Sequence, residues 1–129
     1  MLLRIAALAA LVFLATPVPP ACACSCAGPA ISGLTFAIRG EVTDVEITEV
    51  RPHVEVGVAT VTVSEVLRGP ADMETVRVAF LVGDGVNCGV RISRGYRGFL
   101  TGTGQPGHYS TGLCTQVNET AFRQLAGAH

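Results

Sequence analysis

The residues best suited to chemistry in this chain form one triplet, Cys24-Ser25-Cys26. In extended backbone, residues i and i+2 point one way and i+1 points the other. Cys24 and Cys26 would then face the body of a domain, and Ser25 would project from it. With Cys24 as the first residue of a mature chain, its α-amine and its own carbonyl oxygen can close a five-membered chelate ring on a metal ion. An α-amine loses its proton near pH 8, at about 7.7–8.0, so zinc displaces that proton at neutral pH at modest cost. A catalytic zinc held by three protein ligands keeps an open position that such a chelate can fill. Anchoring the terminus beforehand reduces the ordering entropy lost on binding.

The residues ahead of the triplet predict that Cys24 becomes a terminus. Arg4 supplies a positive n-region, residues 5–15 are an unbroken apolar run, and Thr16-Pro17-Val18-Pro19-Pro20 breaks it. Ala21-Cys22-Ala23 then offers the small-x-small pattern of a signal peptidase site. Residues 1–23 are read as a secretory signal peptide and residues 24–129 as one secreted domain, expected to act as a monomer. A transmembrane helix needs about 20 apolar residues, and the prolines end this run first, so no membrane span is expected. A minor alternative is lipoprotein processing at Cys22. Ala21 suits the position before a lipidated cysteine, but Pro19 stands where a large aliphatic residue is expected. That route would tether the domain without changing it.

Cleavage after Ala23 removes one of five cysteines and leaves Cys24, Cys26, Cys88 and Cys114. Four cysteines in an oxidising compartment read as two disulfides with three conceivable pairings. A Cys24–Cys26 bond would close a very tight ring, so each is expected to reach one of the two distant cysteines. Either bridge closes a long loop, worth roughly 4 kcal/mol in the chain-entropy account.

Other chemistries find little support. Nine basic residues, one of them Arg4 in the leader, face ten acidic ones. That balance gives no electrostatic footprint for nucleic acid or an anionic membrane. His53, His108 and His129 lack zinc-ligand spacing. Gly83-Asp84-Gly85 lacks the lysine and helix of a phosphate loop, and no Gly-x-Ser-x-Gly elbow is present. Glu41, Asp44, Glu46, Glu49 and Glu55 read as a solvated face. A thiol catalyst needs a free cysteine, which an even count disfavours. The chain is therefore read as a non-enzyme without a cofactor or a metal of its own. Asn118-Glu119-Thr120 is a glycosylation sequon that also reads as a helix cap.

Positioning the triplet falls to a β-rich body. Phe36, Ile38 and Val42 share one parity, and Val45 and Ile47 the other. Val54, Val56 and Val58 give way to Val61, Val63 and Val66, which predicts a bulge or strong coil near Ala59-Thr60. Arg68-Gly69-Pro70 is a turn. Val76, Val78, Phe80 and Val82 alternate with polar residues as a strand. Residues 83–89 form a loop. Residues 95–101 and 108–114 are two shorter strand candidates joined by a turn at 102–107, and Asn118 caps a helix reaching Ala126. Five strands, the early ones long and the late ones glycine-rich, predict a mostly β, five-stranded OB-fold-like barrel with a short C-terminal helix. A sandwich of the same strand count fits the pattern as well.

Taken together, these residues resemble the tissue inhibitors of metalloproteinases and the wider netrin-like module family, in a single-domain form. The resemblance rests on Cys24-Ser25-Cys26 directly after a signal site, on Gly40-Glu41-Val42, and on Val63-Ser64-Glu65-Val66-Leu67-Arg68-Gly69. Cys88-Gly89, Gly95-Tyr96-Arg97-Gly98-Phe99-Leu100 and Cys114 complete it. It implies disulfides Cys24–Cys88 and Cys26–Cys114, and a secreted inhibitor whose Cys24 chelates the zinc of a partner metalloprotease. It further implies that Ser25 enters the protease specificity pocket, with Cys26, Ala27, Val86, Asn87, Cys88 and Gly89 completing the binding edge. The third disulfide of the inhibitors' N-terminal domain has no counterpart here, and Ala27-Gly28-Pro29 is a small ridge. The alternative is a non-inhibitory netrin-like module that binds another extracellular protein, with Arg77, Arg91, Arg94 and Arg97 as a contact face.

Overall fold

The computed structural model describes residue 26, residues 31–85 and residues 87–127. A 3-10 turn at Ile31–Gly33 leads into β1 (Phe36–Arg51), β2 (Val54–Arg68), β3 (Thr75–Leu81), β4 (Arg97–Gly102) and β5 (Tyr109–Thr111), followed by helix α1 (Glu119–Ala126). The strands form one sheet in the order β4-β1-β2-β3-β5. Neighbours are antiparallel except β3 and β5, which run parallel. The outermost strands meet through a bridge in which Thr103 and Ser110 exchange two backbone hydrogen bonds of 2.9 Å. The result is a mostly β, curled five-stranded OB-fold-like barrel, partly closed, with one short C-terminal helix.

Extra residues in the long β1–β2 ladder accompany the curl. The register leaves Thr43 and Val50 unmatched on β1, and Ser64 and Leu67 unmatched on β2. Each such bulge bends its strand and increases the local twist. The parity change in β1 between Val42 and Val45 is the Thr43 bulge. The change expected in β2 near Ala59-Thr60 does not occur there: Val45 pairs with Ala59 and Asp44 with Thr60 in unbroken register. Gly57, Ala59 and Val61 are the buried residues of this stretch, while Val54, Val56 and Val58 are only half-buried. Small residues face inward because Phe80 fills the space. A Cβ on Gly57 would lie 2.2 Å from Phe80 Cζ. The valine pattern therefore misassigned the face, since here the larger side chains lie outside.

The other strands follow their alternation more closely. Val76, Val78 and Phe80 are buried from β3. They pack with Phe36, Ile38, Val42, Val61, Leu100 and Tyr109 as the barrel core, where Phe36 and Tyr109 meet edge-on at 5.0 Å. The strand expected at 108–114 is shorter, because Gly112 and Cys114 belong to a turn in which Thr115 and Gln116 donate to the Gly112 carbonyl.

A second cluster joins Ile31, Leu34, Ala37 and Phe99 to Phe122 of α1. The helix begins where the sequence predicts, with the Asn118 side chain accepting from Ala121 N at 2.7 Å. Arg68 stacks its guanidinium 5.0 Å from the Phe122 ring centre and donates to the carbonyls of Ile31 and Leu34.

Candidate functional site

Parallel pairing of β3 with β5 decides where the distant cysteines lie. Phe80 stands beside Thr111 in that pair, so both chains leave the sheet at the same end of the barrel. The chain after β3 carries Cys88, and the chain after β5 carries Cys114. Cys26 is joined to Cys114, with a Cα–Cα separation of 5.2 Å. Cys88 is disulfide-bonded as well. Cys24, Ser25, Ala27 and Val86 lie outside the described residues, so the described part of the predicted edge is Cys26, Asn87, Cys88 and Gly89.

The Cys88 loop is braced by Asn87. Its backbone N–H donates to Asp84 Oδ1 at 2.8 Å, and its side-chain oxygen accepts from Gly89 N at 3.0 Å and from Asp84 N at 3.3 Å. Its side-chain nitrogen donates to the Val82 carbonyl at 2.9 Å. The returning chain lies directly against the end of β3, with Gly83 N on Val90 O and Val90 N on Leu81 O. No side chain fits in this crossing, since a Cβ on Gly89 would lie 2.6 Å from Leu81 O and Gly83 N. Arg91 Nε donates to the Gly83 carbonyl at 3.1 Å and closes the loop from outside.

The Cys114 turn is held by a buried polar network that sequence reading missed. Thr101 Oγ1 donates to Thr115 O at 2.6 Å and accepts from Val117 N at 2.9 Å. Gln116 accepts from Thr101 N at 3.1 Å and donates to Phe99 O at 3.0 Å. Thr111 Oγ1 donates to the Thr101 carbonyl at 2.6 Å. These bonds fasten the turn to β4 through side chains from three segments. Thr101 and Thr111 read in sequence only as ordinary polar residues of strand candidates, and Gln116 falls between the last strand candidate and the helix cap. The one available signal was a threonine at an inward-facing strand position.

Elsewhere the expected chemistry stays dispersed. His53 sits exposed in the β1–β2 turn and His108 is exposed before β5, while His129 lies outside the described residues. No group of three or more His, Cys, Asp or Glu side chains is placed to hold a metal among the described residues. No described helix is long and apolar enough to cross a membrane. Glu41 pairs with Arg97 and Glu46 with Arg77, both at 3.3 Å. Thus three of the four arginines considered as a contact face, Arg77, Arg91 and Arg97, have partners within the domain. No protein-family model and no curated protein matches the chain.

Proposed function

We propose that this chain is a secreted, non-enzymatic inhibitor of zinc metalloproteases, of the kind its resemblance to the tissue inhibitors implies. The α-amine and carbonyl of Cys24 would chelate the protease zinc, and Ser25 would enter the specificity pocket. The observation that carries the reading is that two braced segments, the Cys88 loop and the Cys114 turn, leave adjacent parallel strands at one end of the barrel. Cys26 is already bonded to the second of them. A Cys24–Cys88 bond would fasten the terminus to the first. The edge would then reach the protease already ordered, at a low entropic cost of binding. The protease supplies the zinc, and the inhibitor needs neither cofactor nor catalytic group.

The test compares the protein beginning at Cys24 with the same protein carrying an acetylated α-amine, assayed against the catalytic domain of a zinc metalloprotease. Inhibition is expected from the free amine and is expected to vanish on acetylation, with the thermal melt unchanged. Equal inhibition by both forms would sink the chelation mechanism. A secreted product that begins elsewhere than at Cys24 would also remove its basis. Absence of inhibition by either form would favour the netrin-like binding module.

A further inference from the structure

The β1 strand is much longer than the strand that covers its outer edge. β4 pairs with β1 only from Phe36 to Glu41. Val42 adds one more exchange, donating to Tyr96 O and accepting from Gly95 N, both at 2.8 Å. From Thr43 to Arg51 no described residue pairs with that edge. Such an edge offers a row of backbone N–H and C=O groups to any strand that fits.

Side chains along the uncovered stretch define what fits. Between the bulges at Thr43 and Val50 the strand is regular. Asp44 and Glu46 lie on one face, and Val45 and Ile47 on the other, as alternation requires. Ile47 is 46 % exposed. A second copy of this edge, laid antiparallel, would bring the carboxylates of both copies together, and like charges on adjacent strands are unfavourable. The covered part of the edge already shows the favourable arrangement: Glu41 stands opposite Arg97 of β4 and forms an ion pair with it. Glu46 forms a solvent-exposed pair with Arg77, which costs little to exchange.

We infer that the β1 edge from Asp44 to Glu49 is a docking site for an extended segment of another protein, one that alternates basic with apolar residues. The segment adds antiparallel or parallel to β1 as a further strand. Its basic side chains lie over Asp44 and Glu46, and its apolar ones lie over Ile47, beside Val45, which is itself half-buried against the barrel core. This surface involves none of the residues of the chelating edge, so the inference stands apart from the inhibitor reading.

The probe is a capped peptide of alternating lysine and valine, titrated into the disulfide-intact protein and followed by amide chemical shifts. Three control peptides accompany it: one alternates glutamate and valine, and the other two are the lysine peptide N-methylated at alternate residues, one in each register. The expected result is saturable binding of the lysine peptide, with shifts and slowed hydrogen exchange confined to residues 43–51. Methylation of the pairing edge should abolish it, as should the glutamate sequence. Asp44→Asn and Glu46→Gln should each weaken binding by roughly two- to five-fold, the scale of an exposed ion pair. Equal binding of the methylated peptide in both methylation registers would overturn strand addition in favour of loose charge attraction. Equal binding of the glutamate peptide, no binding of the lysine peptide, or dimerisation of the protein through the same amides would overturn the proposal.

Discussion

At the residue scale, the barrel depends on pairs in which one side chain is small because another is large. Gly57 and Phe80 are the clearest case. They are cross-strand partners, and the phenyl ring occupies the space where a Cβ on residue 57 would stand. Gly57→Ala should cost about 1–3 kcal/mol, the usual range for overpacking. Phe80→Leu should recover part of that loss in the double variant, so the two changes should be strongly non-additive. Urea unfolding of the four proteins measures this; additive effects would show that the ring moves aside without strain. Thr101 illustrates the polar equivalent. Its buried hydroxyl serves both Thr115 O and Val117 N. Thr101→Val keeps the shape and strands both partners, at an expected cost of about 1–3 kcal/mol. Hydrogen exchange at Val117 should speed up, and an unchanged rate would mean that the turn does not depend on this hydroxyl.

At the element scale, α1 was legible from its cap and its C-terminal position, but its mode of attachment was not. Local signals suffice for a cap, because Asn118 and Ala121 are three residues apart. The contacts that dock the helix come from residues far away in sequence. Glu119 is bound by Arg39 of β1 and by Arg123 of its own helix. The Arg39 hydrogen bond holds the Glu119 carboxyl below its ordinary range; burial opposes this, and Arg123 adds to it. A lowered carboxyl pKa stabilises the fold at pH values above the unfolded value, and that contribution disappears as pH falls through the lowered one. Glu119→Gln should therefore reduce stability at neutral pH and make little difference in strong acid. Denaturation of both proteins across that acid range measures it, and a constant difference would show that the contact is not electrostatic. The strands divide in the same way. β3 was readable because its two faces differ sharply. β2 was misread because half-buried valines line its outer face and glycine and alanine its inner one, an arrangement set by Phe80 on the neighbouring strand.

At the scale of the whole molecule, the sequence predicted the number of strands and, through the family resemblance, the Cys26–Cys114 bond, but not the bracing that puts Cys88 and Cys114 at one end. That placement follows from the parallel β3–β5 pair and from Asn87, Thr101 and Gln116, whose roles exist only after folding. The Cys26–Cys114 bond, with a sequence separation of 88, joins a residue ahead of β1 to the segment after β5. In the chain-entropy account a closed loop of that length is worth about 4–5 kcal/mol, and removing a native disulfide from a small domain generally costs about 2–5 kcal/mol. Cys26→Ala with Cys114→Ala should thus lower stability by about 2–5 kcal/mol in urea unfolding. The β-sheet signature should survive at low denaturant, because the Thr101–Gln116 network holds the Cys114 turn independently of the bond. A loss well under 1 kcal/mol would mean that the unfolded chain is already compact near these ends. Loss of the sheet itself in water would mean that the polar network cannot hold the turn unaided. The intermediate outcome, a destabilised but native barrel, is the one that separates anchoring of Cys26 from formation of the fold.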